Sequence, residues 1–244
     1  MTELQTTPHL RAETTTNPGE RWIKVAQALP VLIAIIFNLI TLWPEFSVPL
    51  PSLNDDAEHF LFVQRADAAL TDGENPVDNW SPVLELGFPQ FFYYQHVPHL
   101  AVALLYRMLL RQVSLLTLFN LVRYLLLVFL PLTVWWSMRT MGFTPAASAV
   151  GAAFSPLISS NYLYGFEYNS YVWRGYGMYT QLWAMHFFFI AIACLHRVLK
   201  QGTGYISATV ACSMVVLSDL MYAYMLALTT AILFLLSLRR GAAP

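Results

Sequence analysis

Val97-Pro98-His99-Leu100-Ala101-Val102-Ala103-Leu104-Leu105-Tyr106-Arg107-Met108-Leu109-Leu110 decides how this chain is threaded. The apolar part, 100–110, is about 11 residues long. At about 1.5 Å per residue it falls well short of a hydrocarbon core about 30 Å thick, and extending it back to Val97 does not close the gap. If the stretch does not cross, Arg21/Lys24, Arg139, Arg197/Lys200 and Arg239/Arg240 all fall on one side of a bilayer. If it does cross, Arg139 stays on that side only by breaking the run 114–138; otherwise it and the later clusters move to the other side. The positive-inside rule selects the first arrangement, with the N-terminus inside. Residues 90–112 are then a juxtamembrane helix on the outer leaflet, with Arg107 and Arg111 reaching for headgroups.

The surrounding sequence is apolar. Of 244 residues, 57% are hydrophobic and 11% charged, against about 25% charged in a soluble domain. Further apolar runs cover roughly 22–43, 114–138, 145–159, 179–196, 205–218 and 220–238. The expected fold is an all-α membrane protein, a polytopic helical bundle of about six spans. Residues 1–20 read as a disordered cytoplasmic tail and 21–240 as the transmembrane domain. The run from Val25 is too long for a signal-peptide core and lacks a small-x-small cleavage site, so it reads as a retained span. A net charge of −1 gives no case for nucleic-acid binding. Cys194 and Cys212 sit in apolar runs and read as reduced packing residues.

The first outer loop, 44–113, concentrates the polar chemistry. Nine of the fourteen acidic residues lie between Trp43 and Pro98, with one basic residue, Arg65. The loop opens Asp55-Asp56-Ala57-Glu58-His59. With Ser52 or Asn54 as cap, a helix from here to about Leu70 puts Asp55 and His59 at i, i+4 and Asp56 and His59 at i, i+3. Three acids and an imidazole on one turn suit a general base or a divalent cation with oxygen ligands. The same carboxylates also favour the positive end of a helix, whatever else they do.

Trp80, Phe88, Phe91, Phe92, Tyr93 and Tyr94 read as an aromatic belt near the interface, most of them anchoring the loop to lipid headgroups. His96 and His99 flank Pro98 and are expected to face the outer cleft, suited to phosphate contact or proton transfer. A second outer loop, about 160–178, is rich in Tyr and carries Glu167 and Arg174. Aromatic rings stack on sugar faces and Arg pairs with phosphate; an interfacial Tyr belt with a local Glu167–Arg174 pair is the structural alternative. Arg123 and Asp219 lie in or beside apolar runs, where charges are costly. Arg123 also reads as a buried structural partner, and Asp219 as a cap on the last span.

The order of elements resembles the GT-C-fold polytopic glycosyltransferases. A first span is followed by an outer loop opening Asp55-Asp56, then Gly73-Glu-Asn-Pro76 with Trp80-Ser-Pro82, then Gly87-Phe-Pro89-Gln-Phe-Phe-Tyr93-Tyr94, then His96-Val-Pro98. It is most similar to bacterial membrane proteins labelled as related to 6-pyruvoyl-tetrahydropterin synthase and to the lipopolysaccharide core galacturonosyltransferase-like group. The resemblance covers roughly 20–240, the amino-terminal half of such a protein, and implies a partial chain.

It also implies a catalytic or metal-linked acid at Asp55, with Asp56 as the alternative, and a second acid at Glu167. His96-Val97-Pro98-His99-Leu100 matches a His-Pro-Pro-Leu motif with one proline replaced. The implied activity is transfer of a sugar from a polyprenyl-phosphate donor to an extracytoplasmic acceptor in the bacterial inner membrane. Glu58, His59, Trp80, Tyr94, His96, His99 and Arg174 would bind substrate, and Asp55/Asp56 could hold Mg or Mn. The alternative class is a non-enzymatic integral membrane protein that handles lipid or assists assembly, with a transporter as its weaker form.

Overall fold

The computed structural model describes residues 18–47, 55–82, 86–92, 94–157 and 179–241. These are almost wholly helical. The helices are α1 (Pro18–Thr41), α2 (Trp43–Ser47), α3 (Asp56–Asp72), α4 (Val97–Met108), α5 (Leu115–Thr140), α6 (Pro145–Phe154), α7 (Tyr179–Gln201), α8 (Tyr205–Ser218) and α9 (Leu220–Gly241). Two short strands, β1 (Trp80–Ser81) and β2 (Phe88–Pro89), pair antiparallel between α3 and α4. Gly87 turns the chain back at φ +80°, with Trp80 Nε1 and the Ser81 carbonyl occupying the space where a Cβ would stand.

The expectation of an all-α fold holds. Three helices are long and apolar enough to cross a membrane: Leu115–Thr140, Tyr179–Gln201 and Leu220–Leu238. The apolar helices Gln27–Thr41, Pro145–Phe154 and Tyr205–Ser218 are shorter. Of the six expected spans, therefore, three reach crossing length among the described residues. The helix at 97–108 is short, as its sequence length requires. Helix α1 begins at Pro18, so its first three residues fall within the expected tail; residues 1–17 lie outside the described residues.

Local signals set the helix ends. Ser114 caps α5, its Oγ accepting from the Thr117 amide at 3.0 Å. Thr144 caps α6, accepting from the Ala147 amide at 3.2 Å, with Pro145 in the first turn. Gly142, at φ +90°, makes the tight turn between α5 and α6.

Pro131 inside α5 has no N–H, so the Leu127 carbonyl one turn back loses its helical donor. Asn38 on α1 supplies a replacement, its Nδ2 donating to Leu127 O at 3.3 Å. His186 of α7 bonds the adjacent Leu126 carbonyl through Nε2 at 2.7 Å and Thr133 Oγ1 through Nδ1 at 2.7 Å. A break in one helix thus fixes how two others sit on it.

Contacts also set the helix directions. Tyr124, early in α5, donates to the carbonyl of Leu39, late in α1, and Val31 of α1 packs with Trp135 of α5 and with Ala149 and Ala152 of α6. Helix α1 therefore runs opposite to α5. The starts of α7 and α9 meet through Thr180 and Asp219, and Arg197, late in α7, bonds Ser207, early in α8. One end of the bundle gathers the start of α5 with α3 and α4; the other gathers the ends of α5, α7 and α9.

The main core joins α1, α5 and α7 through Leu42, Leu127, Leu130, Leu182 and Met185. A second core packs α3 and α4 onto α5 and α7 through Phe62, Val63, Phe91, Val102, Phe119 and Tyr179. Two expectations are corrected here. Arg107 and Arg111 do not extend freely to headgroups: both reach Asp67 on α3, Arg107 Nε to Oδ1 at 2.8 Å and Arg111 Nη2 to Oδ2 at 3.1 Å. Phe91 is buried rather than belted at an interface, because α3 and α4 need a shared apolar filling.

Candidate functional site

The site grows from the burial pattern of α3. Asp56, His59, Phe62, Val63, Ala66 and Ala69 are buried, the i, i+3, i+7 spacing of one helical face. Asp56 and His59 are the first members of that face. Asp55 and Glu58 each sit one position before them and are exposed. The acidic cluster is therefore split by the helix itself. Asp55 is the N-cap residue, and its carboxylate makes no capping hydrogen bond. The helix runs to Asp72, a little past the expected end, and stops at Gly73 in the left-handed conformation. Ser52 and Asn54 lie outside the described residues.

Asp56 is fully buried and forms an ion pair with Arg123, which is 1% exposed. Arg123 Nη2 also donates to the Glu45 backbone carbonyl at 2.8 Å and lies 3.4 Å from the Glu45 carboxylate. One guanidinium thereby ties α2, α3 and α5 together. A charge pair this deep is held by geometry: removing Arg123 takes away the cation that faces a fully buried carboxylate, which costs several kcal/mol.

Beside it lies a histidine pair. His59 Nδ1 and His99 Nε2 are 3.1 Å apart, and the rings stack with centroids 5.3 Å apart. His99 Nδ1 lies 3.1 Å from the Gln95 carbonyl. A carbonyl only accepts, so Nδ1 of His99 carries the proton. Burial, with His59 adjacent, holds the His99 pKa well below its ordinary value. A neutral His99 leaves Nε2 as acceptor, and His59 donates to it from Nδ1. In a neutral His59 the remaining ring nitrogen, Nε2, carries the lone pair. Phe62, Phe91, Tyr94 and Tyr179 surround the pair, and the Tyr179 hydroxyl donates to the Pro98 carbonyl at 3.2 Å.

Tyr94 borders the same cluster. Burial raises its pKa; a hydrogen bond with the Thr180 side chain opposes the shift, and the charges of Asp219, Glu58 and Asp55 add to it. Its hydroxyl thus stays protonated among three carboxylates. Asp219 accepts from Thr180 Oγ1 at 3.1 Å and caps α9 by accepting from the Tyr222 amide at 3.0 Å. The expectation that Asp219 caps the last apolar helix holds, and so does that of Arg123 as a buried partner.

The other expected site residues fall as follows. His59 and Tyr94 join the cluster. His99 joins it too, but it is buried rather than facing a cleft, and as a neutral ring it does not offer a phosphate a cation. His96 is half-buried against Phe91, and burial lowers its pKa. Trp80 sits on the hairpin with an exposed ring, its carbonyl accepting from Arg65 at 2.9 Å. Glu167 and Arg174 lie outside the described residues.

Of the two acids expected to hold a cation, Asp56 is paired with Arg123 and Asp55 is exposed. Among the described residues, no group of three or more His, Cys, Asp or Glu converges to hold a metal. Sequence reasoning flagged Arg123 and Asp219 as costly charges but did not name Asp56 and Thr180 as their partners. Tyr179 and Thr180, at the start of an apolar run, carried no signal of their own.

No protein-family model, curated protein or solved structure matches this chain.

Proposed function

We propose that this chain is a multi-pass membrane protein that transfers a sugar from a polyprenyl-phosphate donor to an acceptor hydroxyl. One observation carries the reading. Asp56 is pinned by Arg123, which fixes the first turn of α3, and the neighbouring Asp55 carboxylate is left exposed on a rigid base near Tyr94. A general base needs that combination of accessibility and fixed position. Six crossings with the N-terminus inside are supported by the alternating helix directions and by Arg139, Arg197 and Lys200 at the end of the bundle away from α3. The α3–α4 end is then extracytoplasmic.

In the proposed step, Asp55 takes the acceptor hydroxyl proton as that oxygen attacks the anomeric carbon. The bond from that carbon to the phosphate oxygen breaks, and polyprenyl phosphate leaves with the electron pair. Glu167 and Arg174 remain candidates for a second acid and a phosphate contact. The Asp56–Arg123 pair and the His59–His99 pair act as supports.

The test uses a full-length chain in membranes supplied with labelled polyprenyl-phosphate sugar. Asp55→Asn lowers turnover about 100-fold or more, the scale of a lost general base, with unchanged thermal stability. Unchanged turnover would sink the role of Asp55.

The alternative, a non-enzymatic assembly or lipid-handling protein, draws on α9. Only 6% of its apolar window is buried, a face open to lipid or to another helix. That reading expects the donor to remain chemically intact at every step.

A further inference from the structure

At the end of the bundle away from α3, the α5–α6 turn and the ends of α7 and α9 enclose a cavity of about 600 Å³. Phe143, Leu199, Leu233 and Leu236 form its apolar wall, and Lys200 and His196 supply its polar side. None of the described lining residues is acidic. Lys200 is exposed and makes no hydrogen bond or ion pair among the described residues. A second cation stands at the wall, where Arg139 donates to the Phe143 carbonyl.

The ends of α5, α7 and α9 each bring roughly half a negative charge from their carbonyls, and the start of α6 brings roughly half a positive one. Lys200 and Arg139 outweigh that balance, so the cavity mouth stays net positive by about one charge. The space is of ligand size, and it is amphipathic in one direction: an apolar slot closed by a cationic rim.

We propose that this cavity binds the phosphodiester headgroup of an anionic glycerophospholipid, with Lys200 on the phosphate and the leucine wall against the upper acyl chain. Charge complementarity and the apolar slot select this occupant: a soluble phosphate would leave the slot empty, and a zwitterionic lipid would bring its own cation to a rim that is already net positive. Cationic pockets between membrane helices on the cytoplasmic side hold lipids in this way. The inference rests on the bilayer reading above but not on the transferase chemistry, since Asp55 lies at the other end of the bundle. The apolar groove between α7 and α8, about 540 Å³ and lined by Leu195, Val198, Ala208 and Val216, has no charged lining residue and so names no occupant.

The test reconstitutes the full chain in nanodiscs of phosphatidylcholine with a minority of phosphatidylglycerol, an anionic surface that a basic residue can read. Native mass spectrometry reads which lipid each released chain retains. The wild-type chain retains phosphatidylglycerol in preference to phosphatidylcholine. Lys200→Gln weakens that retention about fivefold, the scale of one basic residue at an anionic surface, and Lys200→Arg keeps it. Phosphatidylcholine retention is the same in all three. Equal phosphatidylglycerol retention by wild type and Lys200→Gln overturns the proposal, as does equal retention of the two lipids by wild type. Carbonate extraction is read alongside: release from membranes defeats the bilayer reading, whereas an inserted chain without lipid preference defeats only the headgroup site.

Discussion

At the residue scale, Arg123 and His99 carry the most decisive chemistry. Arg123→Met removes the cation facing the buried Asp56 carboxylate and costs about 3–5 kcal/mol. The double variant Arg123→Met/Asp56→Leu recovers part of that, because the buried carboxylate is gone while the Glu45 carbonyl still lacks its Arg123 donor. Thermal unfolding of the purified chain in detergent measures both; a double variant no better than the single one would contradict the pairing.

His99 gives a pH dependence. Its folded pKa lies well below its ordinary value near 6.5, so below pH 6.5 the unfolded chain binds a proton that the native chain does not. Stability is therefore flat above pH 6.5 and falls with decreasing pH by up to about 1.4 kcal/mol per unit until the folded pKa is reached. Melting curves from pH 8 to pH 5 show the slope, and His99→Gln reduces it. At this scale the sequence was half legible. Asp55-Asp56 and the unusual charges Arg123 and Asp219 stood out, but adjacent identical acids carry no mark of which will be buried. That depends on which face of α3 meets α5.

At the element scale, the interrupted helix α5 organises its neighbours. Pro131 opens the Leu127 carbonyl, and Asn38 of α1 fills it. Asn38→Ala leaves that buried acceptor without its side-chain donor and costs about 1–3 kcal/mol. Pro131→Leu restores the backbone donor, so Asn38→Ala costs clearly less in that background; a double-mutant cycle on melting temperatures reads the difference, and strict additivity would disprove the compensation. Leu110 and Arg111 show a related economy between α4 and α5. Both take the left-handed conformation, at φ 51° and 57°, unusual for residues with a Cβ. Arg111 and Arg107 are both held by Asp67. The helices themselves were readable from apolar runs, caps and prolines, with ends displaced by a few residues. Their pairings were not, because a hydrogen bond 89 residues apart in sequence leaves no periodicity to read.

At the scale of the whole molecule, the prediction concerns sidedness. In a Cys194→Ala/Cys212→Ala background, Asp55→Cys is labelled by an impermeant reagent added outside cells. Gln201→Cys is labelled only after permeabilisation. Both positions are exposed, so each reports side rather than burial. Outside labelling at Gln201→Cys would reverse the bundle and move the Asp55 face to the cytoplasm. The sequence by itself determined a helical chain apolar enough for a bilayer, the shortness of 97–108 and the concentration of acids ahead of it. These follow from composition and length, which every residue contributes to independently of its neighbours in space. Only the tertiary structure decided that Asp56 belongs to Arg123, that His99 is a buried neutral partner of His59, and that Arg107 and Arg111 serve Asp67. Burial and pairing depend on which helical faces meet, and charges 40 to 67 residues apart become neighbours only when the bundle closes.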